Sequence, residues 1–474
     1  MTCRHLLAPT PILQQIGAVA DQLHLPTYVV GGFVRDLLLQ RPSQDIDIVC
    51  VGNGIALAQA VAQALGQPGG VKVFKNFGTA KVQAQGYELE FVGARKESYR
   101  HDSHKPVVED GTLADDQNRR DFTMNALAIC LNSAQWGELA DPFGGIEDLQ
   151  RRIIRTPLAP ATTFSDDPLR MLRAARFAVL LGMRIAPDTL AAMQQQAGRI
   201  GIVAQERIIA ELNKIVAAPR PAQGFQLLHQ VGLLALIFPQ LVALEGTETI
   251  QGWSHKDNFA HTLQVLDNVA QKTDSLWLRW AALLHDIAKP KTKRFAPGVG
   301  FTFHGHEDLG AKMVPSIFRK LKLPLQAPMR YVQKLVRLHL RPIALVQEVV
   351  TDAAVRRLMY EAGEDLDDLM LLCRADITSK NAQKVQQYLH NFDQVVAKLQ
   401  QVEEKDTLRN FQPVITGDVI MQTFGLPPGR QVGQLKAALK AAILDGKVKN
   451  EYQKAHAYLL ALGSAQGLTV SASD

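Results

Sequence analysis

The sequence predicts an α+β head, a mixed sheet with helices, followed by all-α domains to the end of the chain. Three observations predict it. Over the first third, short apolar runs of strand length alternate with helical stretches. From Phe122 onward helical patterning dominates. Within the first third, Asp45 and Asp47 stand one residue apart on an apolar run that follows a Gly-Gly turn, in Tyr28-Val-Val-Gly31-Gly32-Phe-Val-Arg35-Asp36 and Gln44-Asp45-Ile46-Asp47-Ile48-Val49.

Taken in order, Tyr28-Val-Val reads as a strand, Gly31-Gly32 as a tight turn and Phe33 to Leu39 as a helix. The turn leaves backbone N–H groups and Arg35 facing an anion beside the aspartates. On a strand Asp45 and Asp47 share one face while Ile46 and Ile48 enter the core. Magnesium takes one or two carboxylates and completes its octahedron with water and substrate phosphates, so the pair suits nucleotidyl transfer. The bland alternative is an exposed edge strand with two solvated aspartates.

Gly52-Asn53-Gly54 opens an Ala-rich helix ending at Gly66. Val71–Phe74, Thr79–Gln83 and Tyr87–Val92 read as strands, the last two joined at Gln85-Gly86. Glu90 on the last of these is the expected third carboxylate, and Glu88 shares its face. The polar stretch from Gly93 to Asn118 is expected to be a mobile loop.

Arg119-Arg120-Asp121-Phe-Thr-Met-Asn125-Ala126 sets cations, a carboxylate and an amide at an expected helix start, suited to a triphosphate and its ribose. Asp141-Pro-Phe-Gly144-Gly145 reads as a hinge between sheet and helices. Asp166-Asp167-Pro168 starts a helix, with acids at the positive end of its dipole. On that helix Asp167 and Arg170 stand at i and i+3, able to offer an acceptor and a donor to the edge of a base. Arg173 and Arg176 continue the face toward phosphates. The competing reading of Asp167 and Arg170 is an intrahelical salt bridge worth roughly 0.2–0.5 kcal/mol.

Composition bounds the rest. A chain of 474 residues points to about two to four domains. The formal charge of +6 is compatible with a polyanionic partner. Cys3, Cys50, Cys130 and Cys373 form no Cys-x-x-Cys pair, which argues against a disulfide framework or zinc ribbon and for a reducing compartment. No secretory leader is legible at Met1–Pro9 and no stretch approaches the ~20 apolar residues of a membrane span, so a cytoplasmic protein without a membrane partner is expected.

These motifs, with Glu206-Arg207-Ile-Ile-Ala-Glu211-Leu212, resemble the class II tRNA nucleotidyltransferases, the bacterial CCA-adding enzymes and their relatives the bacterial poly(A) polymerases. The resemblance implies a polymerase-β-like nucleotidyltransferase head over residues 1–155 and a helical neck over 156–250. By the same resemblance Asp45 and Asp47 hold Mg²⁺ and activate the terminal hydroxyl of tRNA, with Glu90 as the less sharply marked third acid. Gly31, Gly32, Arg35 and Arg120 contact the nucleotide, with Asp121 and Asn125 near its ribose. Asp167 and Arg170 select CTP or ATP without a template, and Arg173 and Arg176 hold the triphosphate. Asp166 departs from the family's usual Glu. The long stretch before Arg119 favours complete CCA addition over partial addition. Val73-Phe74-Lys75-Asn76-Phe77-Gly78-Thr79 lacks the basic Gly-Arg-Arg-Phe type segment of poly(A) polymerases.

Farther on, His261, His285-Asp286, His306, His339 and Asp376 follow the order of an HD phosphohydrolase domain, expected over 251–395. Imidazoles and carboxylates suit a second divalent metal, Fe, Mn, Ni or Zn, that acidifies water for phosphoester cleavage. His255 and His304 are spare ligands. The alternative is a decayed HD fold whose histidines are satisfied by backbone carbonyls. A helical tail over 396–474 carries Gly425-Leu-Pro-Pro-Gly429-Arg430, and Arg430, Gly433 and Lys436 are expected to meet tRNA phosphates; an ordinary helix–helix turn competes with that reading. Two rival functions remain: a poly(A) polymerase, and a phosphohydrolase whose head only binds nucleotide or RNA.

Overall fold

The structure, a computed structural model, describes residues 2–67, 69–75, 78–98, 107–347, 351–378, 382–406 and 413–471. It divides into two compact units, Met1–Val242 and Ala243–Asp474.

The first unit is built on a seven-stranded mixed sheet: β1 (Thr27–Val30), β2 (Asp45–Cys50), β3 (Val71–Phe74), β4 (Thr79–Ala84), β5 (Tyr87–Gly93), β8 (Ala128–Cys130) and β9 (Leu139–Ala140). Its strand order is β3-β4-β5-β2-β1-β8-β9. β2 therefore lies inside the sheet, parallel to β5 and antiparallel to β1, which removes the edge-strand reading of the aspartates. Ile46 and Ile48 are fully buried, as the period-2 pattern demands. The tight β4–β5 turn puts Gln85 and Gly86 at φ 52° and 85°, the left-handed pair that a two-residue hairpin requires. Asn53 caps the helix Gly54–Ala64 by accepting the Ala56 N–H.

Three expectations are corrected here. The stretch from Gly93 to Asn118 is not a loop throughout: β6 (Arg95–Ser98) pairs with β7 (Val107–Asp110), and the helix Leu113–Asn118 follows. That helix opens on a capping box, Thr112 with Asp115, which satisfies two otherwise orphaned N–H groups. Residues 99–106 of the expected loop, and Asn76 and Phe77 of the segment before β4, lie outside the described residues. Arg119 and Arg120 stand at the end of this helix rather than at a helix start, and Thr123–Asn125 is a single 3₁₀ turn. Beyond Phe122 the chain also returns to the sheet through β8 and β9; Ala128–Cys130 is buried on both faces and so lacks the alternation that marks a strand.

The remainder of the first unit is helical apart from a short parallel strand pair, Ile153–Ile154 with Arg184–Ile185. Pro160–Asp166 ends where Leu169–Leu181 begins, with Asp167 between them accepting the Leu169 N–H. Gln205–Val216 packs on Leu169–Leu181. In the second unit the helices Asn258–Ala270, Leu276–Leu284, His306–Leu321, Ala327–Leu338 and Leu366–Asp376 surround a buried polar centre. Gly417–Phe424, Arg430–Leu444 and Tyr452–Ala465 share their own core of Ile415, Ile420, Phe424, Leu435, Leu439 and Leu459. Among the described residues no helix is long and apolar enough to cross a membrane.

Candidate functional site

In the first unit a cleft of about 380 Å³ opens between the sheet and the helix Leu169–Leu181. One wall is acidic: Asp45 and Asp47 of β2, Glu88 and Glu90 of β5. The register places Asp47 directly beside Glu90, and Asp45 beside Glu88. Burial pushes the Asp47 carboxyl above the usual range, while the Arg120 guanidinium pulls it back. The oxygens of Asp45, Asp47 and Glu90 suit a hard cation such as Mg²⁺, although they are not drawn into a cluster with all donor atoms within 4.8 Å.

Gly31 fits between this wall and the opposite one. Its φ is 71°, and a Cβ there would lie 2.9 Å from Arg120 Nη1 and 3.1 Å from Asp47 Oδ2. Gly32 starts the helix Gly32–Leu38, so N–H groups of its first turn border the same space.

The opposite wall is basic and strongly braced. Arg173 Nε donates to Asp121 Oδ2 at 2.7 Å, Asn125 Nδ2 donates to Asp121 Oδ1 at 2.9 Å, and Arg35 Nη1 donates to Asn125 Oδ1 at 2.9 Å. Burial opposes ionisation of Asp121, but Arg173 and these hydrogen bonds hold it down to about 2. Arg176 forms an ion pair with Glu211 at 2.6 Å. Arg35, Arg173 and Arg176 all approach the ring of buried Phe177, at 5.0, 5.6 and 4.0 Å from its centroid, so one aromatic side chain helps to hold three guanidinium groups.

Asp167 and Arg170 are not among the residues lining the cleft. Nor do they form the competing intrahelical pair. Arg207 Nη2 lies 2.8 Å from Asp167 Oδ2. Buried Arg170 donates to the carbonyls of Thr163 and Arg119, the latter adjoining cleft residue Arg120.

Asp116, Lys81 and Phe177 carry no role in the sequence reading. Fully buried Asp116 binds Arg119 and Arg120 from one turn away; the i, i+3 and i, i+4 spacing is its only sequence signal. Lys81 of β4 lies 2.5 Å from Glu88 and 3.2 Å from Glu90, contacts whose sequence signal is the register of the hairpin joined at Gln85-Gly86.

The second unit gathers all six expected HD residues. His261 Nε2 lies 2.9 Å from Asp376 Oδ1, His285 Nε2 3.2 Å from Asp286 Oδ2, and His306 Nε2 3.2 Å from Asp286 Oδ1 and 3.3 Å from His339 Nε2. Two triads, His261/His285/Asp286 and Asp286/His306/His339, have donor atoms within 4.8 Å of one another. In His285, His306 and His339 the Nδ1 lies 2.7 Å from the carbonyl three residues upstream. Backbone carbonyls thus satisfy one nitrogen of each ring and turn the other to a shared centre, the outer-shell geometry of metal-ligating histidine. Buried His285 Nε2 faces Asp286 Oδ2 at 3.2 Å and Asp376 Oδ1 at 3.5 Å without an aligned hydrogen bond, an arrangement that suits donor atoms converging on a metal. Burial and the charge of His285 push His339 down to about 4, whereas Asp286 and Asp376 overcome burial and raise His285 to about 10.

The spare ligands fall outside this centre. His255 Nδ1 bonds the Lys256 carbonyl and its ring meets Phe301 and Phe303 edge-on, and His304 is exposed. In the tail, Arg430 opens the helix Arg430–Leu444, and Arg430, Gly433 and Lys436 are all exposed.

Three family models match the chain: the Poly A polymerase head domain over residues 27–155, the probable RNA and SrmB-binding site of polymerase A over 182–244, and the HD domain over 258–381. An A-adding tRNA nucleotidyltransferase of Deinococcus radiodurans is 35% identical over 73% of this chain and 79% of its own length. A multifunctional CCA protein of Nitrosococcus oceani is 33% identical over 75% and 86%. The fold is similar to that of the Thermotoga maritima CCA-adding enzyme solved with tRNA, with a TM-score of 0.63, 22% identity and coverage of 98% of this chain and 99% of that one. The motif-bearing cleft, the ordered histidine cluster and these two relatives lead to one assignment: the chain belongs to the tRNA nucleotidyltransferase/poly(A) polymerase family.

Proposed function

We propose that the protein adds the 3′-terminal CCA to tRNA from CTP and ATP, releasing pyrophosphate, and that its HD domain cleaves phosphoesters at tRNA ends. The observation that carries this reading is one cleft with Asp45 and Asp47 on an interior strand facing the braced arginine wall. When bound, a Mg²⁺ ion supplies Lewis-acid activation of the hydroxyl and charge neutralisation at the reacting phosphate.

The chain's residues do the rest by position and charge. Asp45 and Asp47 hold the ion, with Glu90 as third acid. Gly31 and Gly32 let the triphosphate approach the backbone, and Arg35, Arg120, Arg173 and Arg176 offset the charge that develops on the leaving pyrophosphate. Asp121 and Asn125 set the angle of Arg173 and Arg35 beside the ribose. Asp167 as acceptor and Arg170 as donor read the edge of the incoming base. Buried Arg170 has to exchange its Thr163 and Arg119 carbonyls for the base to do so, and Arg207 on one Asp167 oxygen supports a fixed acceptor.

The division of labour follows residues 1–155, 156–250, 251–395 and 396–474 as head, neck, HD domain and tRNA-binding tail, with Arg430, Gly433 and Lys436 on tRNA phosphates. In the HD domain His261, His285, Asp286, His306, His339 and Asp376 hold Fe, Mn, Ni or Zn. Four free cysteines support a reducing, cytoplasmic setting.

The Deinococcus relative's name favours a second reading, A addition alone. Extension of tRNA ending at the discriminator base separates the two. CTP alone gives two added residues under the CCA reading and none under the A-only reading; long A tails on arbitrary RNA would contradict both.

A further inference from the structure

Among the described residues lining the acidic cleft, Lys81 is the one ammonium group. The sheet register sets Lys81, Glu90 and Asp47 in one row across β4, β5 and β2, so their side chains share a face. Lys81 Nζ bridges two carboxylates, Glu88 Oε1 at 2.5 Å and Glu90 Oε2 at 3.2 Å. One Glu90 oxygen is thereby engaged by Lys81, while both groups stay within electrostatic reach of Asp47.

We infer that Lys81 is an internal counter-ion that competes with the divalent ion for Glu90, and that Glu88 is the carboxylate to which it retires when the ion binds. The inference rests on the reading of Asp45, Asp47 and Glu90 as the metal-binding acids. Four acids of one sign facing one cleft repel each other, and Lys81 offsets that repulsion before metal arrives. Glu90 has to leave Lys81 to share an ion with Asp47. The Glu88 contact lets the ammonium keep a partner during that exchange. Lys81 is a positioning residue: it acts through Glu90 and touches no reacting atom.

Mn²⁺ binding to the full chain, followed by the EPR signal of the free ion, tests this without turnover. The contribution of the histidine cluster is subtracted with the Asp45→Asn/Asp47→Asn variant. Lys81→Met keeps the aliphatic stem, and is expected to tighten head-site Mn²⁺ binding by about two- to five-fold, the range of a half-exposed ion pair. Lys81→Gln repeats the neutralisation with a polar side chain, and Lys81→Arg keeps wild-type affinity. Glu88→Gln, which removes the retreat, is expected to weaken binding in the wild-type background and to have no effect in Lys81→Met.

Unchanged or weaker Mn²⁺ binding in both Lys81→Met and Lys81→Gln overturns the competition. An equal effect of Glu88→Gln in both backgrounds overturns the role of Glu88. If the Asp45→Asn/Asp47→Asn variant binds as many ions as the wild type, it is the underlying metal assignment that fails.

Discussion

Asp121 shows how a single residue is committed to the cleft. Both of its oxygens are taken by donors from the chain, Arg173 on one side and Asn125 with the Phe122 N–H on the other. Its carboxyl is lowered from 3.8 to about 2. A lowered folded value contributes stability that is fully present above the unfolded value and lost as pH falls through the folded one. Urea unfolding should therefore show Asp121→Asn less stable than wild type by about 2 kcal/mol at neutral pH. The gap should close between about pH 4 and pH 2, and a gap constant with pH would contradict the assignment. At this scale the sequence discloses residues whose meaning is local. Asp45 and Asp47 are legible because a strand has period 2 and their apolar neighbours mark the buried face. Lys81 and Phe177 are not, because neither residue type announces a role: the Lys81 partners come across the β4–β5 hairpin, and Arg35 reaches the Phe177 ring only through packing of the helix on the sheet.

The helix Leu113–Asn118 makes the same point for an element. Asp and Asn are weak signals for a helix interior, so a polar stretch reads as loop. The decisive features are the Thr112/Asp115 capping box at one end and Asp116 turned inward. Asp116 holds Arg119 and Arg120, and Arg119 in turn offers its carbonyl to Arg170. Asp116→Asn breaks a buried ion pair on one side only and should destabilise the first unit by roughly 3–5 kcal/mol. A substitution at half-buried Asp115 removes only a cap, about 1 kcal/mol. Comparing the two in denaturant titrations checks that the inward carboxylate, rather than the helix itself, supports the arginine wall. The strand Ala128–Cys130 is illegible for the opposite reason: it is short and buried on both faces, so it shows neither helix nor strand period.

Across the whole molecule the chemistry falls into two units with different donor sets: carboxylates and arginines in Met1–Val242, imidazoles and carboxylates in Ala243–Asp474. The histidine cluster is readable in advance because each ligand announces itself by residue type and order, while its proof lies in ring orientation, which only the fold supplies. His285→Ala should remove metal from the second unit, measured by elemental analysis, and abolish phosphoester cleavage. It should leave nucleotide addition within about two-fold of wild type, as sites without shared partners behave additively. The central claim is that Asp45 and Asp47 make the cleft a nucleotidyltransferase site. Its most direct measurement is a gel of labelled tRNA ending at the discriminator base, incubated with CTP, with ATP, and with both. Wild type is predicted to add two residues from CTP and three from the mixture, and Asp45→Ala/Asp47→Ala to add none while remaining folded. Undiminished addition by the double variant would contradict the account.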